Sequence, residues 1–313
     1  MPRLASMGQD TFLLADVGGT NTRLALGTRK GLFAQTIASY SNDNFNSFIE
    51  VLHNYQAKQA NRPIHSASMA IAGQIIGANA QLTNRNWSFD SDNLADEIGC
   101  KQVHFINDMS GLARAIPVLS SCQSRALQST PTLRPNNQSL VIGLGTGVNV
   151  SALLGNTTLS AEIGHTNSTA PMIHAIESYL GQAQTGFDTI EDILSGRGLE
   201  RLHRLATGLK FKASEICTMS AQDVAAQRTC QVYGSLLAKL IRELALHYLP
   251  RNGIYLSGSV ARGILKTPAR SEVITCLTQD HPMRSTVEGM PLFVITDDAA
   301  ALFGCLEIAK VGA

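Results

Sequence analysis

Two stretches of this chain share one pattern, and together they restrict its fold more than anything else in it. Residues 13–26 read Leu-Leu-Ala-Asp-Val-Gly-Gly-Thr-Asn-Thr-Arg-Leu-Ala-Leu, and residues 139–154 read Ser-Leu-Val-Ile-Gly-Leu-Gly-Thr-Gly-Val-Asn-Val-Ser-Ala-Leu-Leu. Each is an apolar run, a glycine turn with a threonine, and a second apolar run, the pattern of strand, turn and strand. What recurs is a supersecondary unit, not a short-period solenoid repeat. A glycine turn exposes backbone N–H groups and lets a ligand approach the main chain. In the first turn Gly18, Gly19 and Asn21 accompany the carboxylate of Asp16 and the hydroxyl of Thr20. That set suits a phosphate with its Mg²⁺. A plain hairpin is the alternative, because Gly-Gly favours one with no ligand at all. The second turn offers Gly145, Thr146 and Gly147. Neither turn carries the Gly-Lys-Ser/Thr of a Walker A loop, and a strand beginning at Val148 excludes a dinucleotide fingerprint.

Around these hairpins the chain reads as α/β. Gly31–Ser39 extends the first hairpin as a third strand, and Ser66–Ala72 and Val103–Ile106 are further strands. Asn44–Ala60, Leu94–Ile98 and Gly111–Leu119 have helical spacing. Residues 120–138, rich in Ser, Gln, Pro and Asn, read as a connecting loop. Beyond the second hairpin come a helix over Pro171–Leu180 and a helical region from Thr189, broken at Ser195-Gly196-Arg197-Gly198. A long helix over Ala221–Tyr248, strands at Gly253–Ser259 and Leu292–Ile295, and a closing helix over Asp298–Ala309 follow. At 313 residues the chain exceeds one typical core, so two domains are expected.

Charge and cysteine content exclude several roles. Lysine and arginine number 25 against 24 acids, with no basic block, which argues against nucleic acid or an anionic membrane as the main partner. Six scattered cysteines with no Cys-x-x-Cys pair fit a reducing cytosol better than a disulfide framework or a zinc site. No apolar stretch is long and clean enough to span a bilayer, and the first one is cut by Asp16, so a cytoplasmic protein without a signal peptide is expected.

Four further places carry candidate chemistry. Asn107-Asp108 closes a strand, where α/β sheets place ligands. Asp108 there is either a general base that accepts a hydroxyl proton during phosphoryl transfer or the N-cap of the next helix. Glu162 and His165 share a glycine-containing loop and suit hydrogen bonds to vicinal sugar hydroxyls, although a lone histidine is more often structural. Spacing alone makes Glu191 a solvated charge. Gly258 ends a strand and either admits an adenosine ring or forms a tight turn.

Two glycine hairpins facing a shared cleft are the signature of the actin–hexokinase–chaperone ATPases. The chain resembles the bacterial glucokinases of the hexokinase-like branch, outside the ROK group. The likeness covers almost its whole length: Asp16-Val17-Gly18-Gly19-Thr20-Asn21-x-Arg23-Leu24-Ala25-Leu26, Thr83-Asn84-x-x-Trp87-x-Phe89, Ile106-Asn107-Asp108, Gly145-Thr146-Gly147, Glu162-x-Gly164-His165 and Glu191-x-x-Leu194-Ser195-Gly196-x-Gly198-Leu199. The resemblance implies a two-domain actin-like (ribonuclease H-like) fold with duplicated mixed sheets, flanking helices and a central cleft. It implies a small domain of residues 1–108 with 299–313 and a large domain of 109–298. It implies ATP-dependent phosphorylation of glucose or a related hexose at the 6-hydroxyl, often by a homodimer. Asp108 would be the base, and Asn107, Asp108, Glu162, His165 and Glu191 would bind the sugar. Asp16, Gly18, Gly19, Thr20, Asn21, Gly145, Thr146, Gly147 and Gly258 would bind ATP, with Asp16 holding Mg²⁺ through water. The chain departs from the family pattern at Ile163, where a glycine is usual, at Asn149, again in place of a common glycine, and at Gln74 and Ser259. A kinase of another hexose or amino sugar, or a sugar sensor without catalysis, are the rival readings.

Overall fold

The computed structural model describes residues 10–59, 62–127, 133–183 and 186–312. They form two compact units. One holds the described residues up to Leu119 and from Ala299 onward, and the other is Ser120–Asp298.

The first unit is built on β1 (Phe12–Val17), which turns back antiparallel as β2 (Asn21–Thr28). Two short strands, β3 (Gly31–Leu32) and β4 (Ala38–Ser41), pair with opposite ends of β2. The single strand expected over 31–39 is interrupted by a helical turn at Ala34–Thr36, where the Thr36 hydroxyl donates to Phe33 O at 2.7 Å and accepts the Leu26 N–H at 2.9 Å. Helix α1 (Phe48–Gln56) is shorter than expected because the Ser47 side chain accepts the Glu50 N–H and caps it there. Next comes β5 (Ser66–Ile71), then a small antiparallel sheet of β6 (Gly73–Ile76), β7 (Asn79–Leu82) and β8 (Ser88–Asp90), and then α2 (Ser91–Ile98), β9 (Val103–Asn107) and α3 (Asp108–Ala115). The main sheet has the order β3-β2-β1-β5-β9, with β1, β5 and β9 parallel.

The second unit contains β10 (Ser124–Ala126), β11 (Gln138–Leu144), β12 (Val148–Leu154), β13 (Thr157–Ser160), α4 (Ala170–Leu180), α5 (Ile190–Leu194), α6 (Gly196–Thr207) and α7 (Ala213–Met219). It continues through α8 (Val224–Tyr248), β14 (Gly253–Ser257), α9 (Ser259–Ile264), α10 (Arg270–Ile274), α11 (Arg284–Val287) and β15 (Leu292–Ile295). Its sheet runs β10-β15-β14-β11-β12-β13. From β13 to β15 the order and directions repeat those of β3 to β9: three antiparallel strands, then two parallel additions. The duplication therefore embraces five strands of each six-stranded sheet, well beyond the hairpin legible in the sequence.

The last helix, α12 (Ala300–Gly312), belongs to the first unit. Period-two alternation in β1 divides that unit's core in two. Leu13, Ala15 and Val17 pack with Phe48, Val51 and Leu52 of α1, while Phe12 and Leu14 pack with Leu302, Cys305 and Leu306 of α12. The second unit packs Leu140, Ile142 and Leu144 of β11 against Tyr233, Leu237 and Ile241 of α8. No helix among the described residues is long and apolar enough to cross a membrane.

Helix α3 begins at Asp108, earlier than the expected Gly111. Its cap is Asn107, whose Oδ1 accepts the N–H groups of Met109 (3.0 Å) and Ser110 (3.4 Å). It stops at Ala115 because Pro117 draws the chain into a 3₁₀ turn over Ile116–Val118. Its packing against α12 carries the first unit past the expected 108. The two helices meet backbone to backbone: a Cβ on Gly304 would lie 1.7 Å from Gly111 O, and one on Gly111 would lie 2.9 Å from the Ala70 Cβ. Gly304→Ala should therefore destabilise the protein by roughly 3 kcal/mol in urea unfolding. Wild-type stability in that variant would show that α12 can shift away at no cost.

Candidate active site

In the first unit the two candidate groups emerge from one edge of one sheet. Val17, Ile71 and Asn107 lie in register across the parallel strands β1, β5 and β9. Two strand spacings set Val17 about 10 Å from Asn107. The Gly18–Asn21 turn and the Asp108 carboxylate both extend from that row. Asp108 sits at the positive end of α3, and its Oδ1 accepts the Met109 N–H at 2.8 Å.

The first turn is closed by a bond from Gly18 N–H to Asn21 O at 2.9 Å. Asn42, fully buried, holds it from behind. Its Nδ2 donates to Gly18 O (2.7 Å) and Gly19 O (3.4 Å), its Oδ1 accepts the Thr22 hydroxyl (2.8 Å), and its N–H donates to Thr20 O (2.8 Å). Arg85 adds a second brace, donating to Gly19 O at 3.1 Å and Asn42 O at 3.2 Å while pairing with Asp43 and lying over the Trp87 ring. With the carbonyls held, the N–H groups of Gly19 and Thr20 donate to no atom of the described residues. Neither Asn42 nor Arg85 was among the expected site residues. Arg85 falls within the Thr83–Phe89 motif, whereas Asn42 carries no local signal.

Asp16 pairs with Arg23 through Oδ2 at 3.2 Å. Beside it, burial and the Asp16 charge push the Cys305 thiol up to about 12, so that side chain stays neutral. One carboxylate already shared with an arginine, with no group of three acid, His or Cys side chains among the described residues that could hold a metal, does not make a protein cage for a cation. It does fit an ion carried by phosphates and reached through water.

In the second unit the structure gathers the remaining groups. The turn Gly145–Gly147 is closed by Gly145 N–H on Gly147 O at 2.9 Å, and Gly196 N–H takes Gly145 O at 2.8 Å. Gly258 has φ +97°, and a Cβ there would lie 2.1 Å from Leu144 O, so close packing on β11 requires the glycine. Glu191 is not a solvated charge. Its side chain is 23% exposed, with Oε2 accepting the Val148 N–H at 3.1 Å and Oε1 bonded by Arg197 at 2.8 Å. A capping box of Thr189 and Asp192 orients α5, and the Thr189 hydroxyl holds the Asp192 carboxyl below its usual range. The turn Ile163–His165 lies against these groups: a Cβ on Gly164 would meet Val148 O at 2.1 Å and the Glu191 Cβ at 3.5 Å. Glu162 receives Asn149 Nδ2 at 3.0 Å. His165 is exposed, and its ring makes no hydrogen bond among the described residues.

Beside Arg197 opens a cavity of about 530 Å³ lined by Arg197, Arg201, Arg204, Lys210, Phe211 and Lys212, with Glu200 and Glu215. The i, i+4, i+7 spacing of the arginines on α6 could have announced this basic face.

Comparison with known proteins gives a consistent picture. The glucokinase family model matches residues 13–311. The glucokinase of Chromobacterium violaceum is 30% identical over 309 residues, covering 93% of this chain and 87% of that protein. A glucokinase structure from an Antarctic psychrotroph superposes with a TM-score of 0.76 at 22% identity, covering 96% of this chain and 99% of that one. A ROK-family glucokinase from Streptomyces griseus, solved with glucose and AMPPNP, gives 0.68 at 18% identity over 97% and 100%. The fold is thus that of these sugar kinases, and the match over nearly the entire sequence makes the chain a member of the glucokinase family.

Proposed function

We propose that this protein transfers the γ-phosphoryl group of ATP to the 6-hydroxyl of glucose. The observation that carries the reading is Asp108, a carboxylate at the end of a parallel strand and on the same sheet edge as a braced glycine turn. Membership of the glucokinase family and a related structure holding glucose and AMPPNP support it. So does the carboxylate and imidazole set in the second unit. We further infer the actin-like ATPase fold of the hexokinase-like, non-ROK branch, with the two units as its two domains, a cytoplasmic setting that suits six free cysteines, and a homodimer.

In this reading Asp108 accepts the 6-hydroxyl proton as that oxygen bonds to the γ-phosphorus, and the bond from the γ-phosphorus to the bridging oxygen breaks to release ADP. Asn107, Glu162, His165 and Glu191 hold sugar hydroxyls. The N–H groups of Gly19 and Thr20, in the turn with Gly18 and Asn21, donate to phosphate oxygens, as does the Gly145–Gly147 turn. Gly258 lies at the adenosine, and the basic cavity extends the anion-binding surface from Arg197. Asp16 would hold Mg²⁺ through water, and the ion, when bound, neutralises phosphate charge. Exclusion of water leaves the sugar hydroxyl as the nucleophile.

An ADP-release assay over a panel of hexoses tests the reading directly. Glucose should give the highest kcat/KM, a better substrate among the other sugars would move the assignment to a different hexose kinase, and no ATP consumption with any sugar would favour a sensor. Asp108→Ala should lower kcat at least about a hundredfold with glucose affinity little changed, and near-normal turnover would remove Asp108 from the role of base. Asn42→Ala strands the Gly18 carbonyl and the Thr22 hydroxyl. It should cost about 1–3 kcal/mol of stability and raise KM for ATP several-fold while leaving KM for glucose within about twofold. Equal changes in both KM values would show that Asn42 supports the fold alone.

A further inference from the structure

Asn149 stands on β12, two residues beyond the Gly145–Gly147 turn, and it reaches into the loop that carries Glu162 and His165. Its Nδ2 donates to Glu162 Oε2 at 3.0 Å, and its Oδ1 accepts the N–H of Ile163 at 3.3 Å as well as that of Val150 at 2.8 Å. One amide thus grips both the carboxylate and the backbone of the residue that follows it. Glu162 lies on an exposed turn, where a long acidic side chain otherwise spreads over many rotamers and must be ordered when a ligand arrives. Among the described residues Asn149 is the only hydrogen-bond partner of the Glu162 carboxylate, and the bond uses one oxygen while Oε1 accepts nothing from them.

We propose that Asn149 is a positioning residue for sugar recognition, orienting Glu162 so that its second oxygen meets a sugar hydroxyl. The proposal rests on the glucose-kinase reading of the same site. A neutral amide suits the task because it donates to the carboxylate without neutralising it or competing as an acceptor. The two bonds made by Asn149 also separate its possible jobs. Aspartate has the same shape and can still accept the Ile163 N–H, but it turns an acceptor of negative charge toward Glu162.

The test compares wild type, Asn149→Ala and Asn149→Asp for kcat and for KM of glucose and of ATP, with thermal unfolding of the same samples. Asn149→Ala should raise KM for glucose roughly tenfold while kcat and KM for ATP stay within about threefold. Asn149→Asp should be at least as impaired toward glucose as Asn149→Ala. Should Asn149→Ala fail to fold, Asn149→Ser replaces it in the comparison. Near-wild-type glucose KM in Asn149→Asp would overturn the proposal, because it would show that anchoring the loop backbone is all Asn149 does. Parallel changes in both KM values would overturn it as well. Wild-type protein without glucose turnover would remove the kinase reading itself, a result distinct from wild-type turnover with unaffected variants, which removes only the role of Asn149.

Discussion

A glycine turn that offers N–H groups to an anion must also dispose of its carbonyl oxygens, which repel the same ligand. Everything else in this site depends on how that is done. In the first turn the carbonyls of Gly18, Gly19 and Thr20 are taken from behind by Asn42 and Arg85. In the second turn Gly145 O is taken by the Gly196 N–H, while Glu191 anchors Val148 N–H at the start of the next strand. The solutions differ in chemistry but share a logic: a group that comes from elsewhere in the chain takes up the turn's carbonyl and fixes its peptide planes.

Five strands of one sheet repeat five of the other in order and direction, yet the repeat has diverged at the ends that matter. The last parallel strand of the first sheet ends in Asn107-Asp108, with Asn107 capping the helix and Asp108 opening it. The corresponding strand of the second sheet, β15, runs into Asp297 and Asp298, and these acids are committed to Gln123 and Arg262. In place of a strand-end acid, the second unit presents Glu162, His165 and Glu191 beside its glycine turn. One topology thus supplies two different sets of groups, because loops can change without disturbing the ladders that hold them.

Much of this was legible in the sequence, and what was not has a physical reason. The hairpins, the strand ending at Asn107 and the long helix over 224–248 announce themselves through local period and punctuation. The apolar period alone does not reveal the start of α3, because its cap is the Asn107 side chain, which reaches two residues forward. Asn42 and Arg85 contact a turn more than twenty residues earlier in the chain, so nothing local ties either to that turn, although Arg85 lies within the Thr83–Phe89 motif. Glu191 reads as a surface charge on spacing alone. Only the fold brings Val148 and Arg197 to its two oxygens.

The position of α12 also sets the order in which the protein can mature. Phe12, Leu14, Ala25 and Ala70 are buried under a helix that begins only at Ala300. During synthesis the second unit has all of its strands before that helix leaves the ribosome. The first unit, although made first, waits with one face of its sheet uncovered. The half of the molecule that bears Asp108 is therefore the last whose core can be completed.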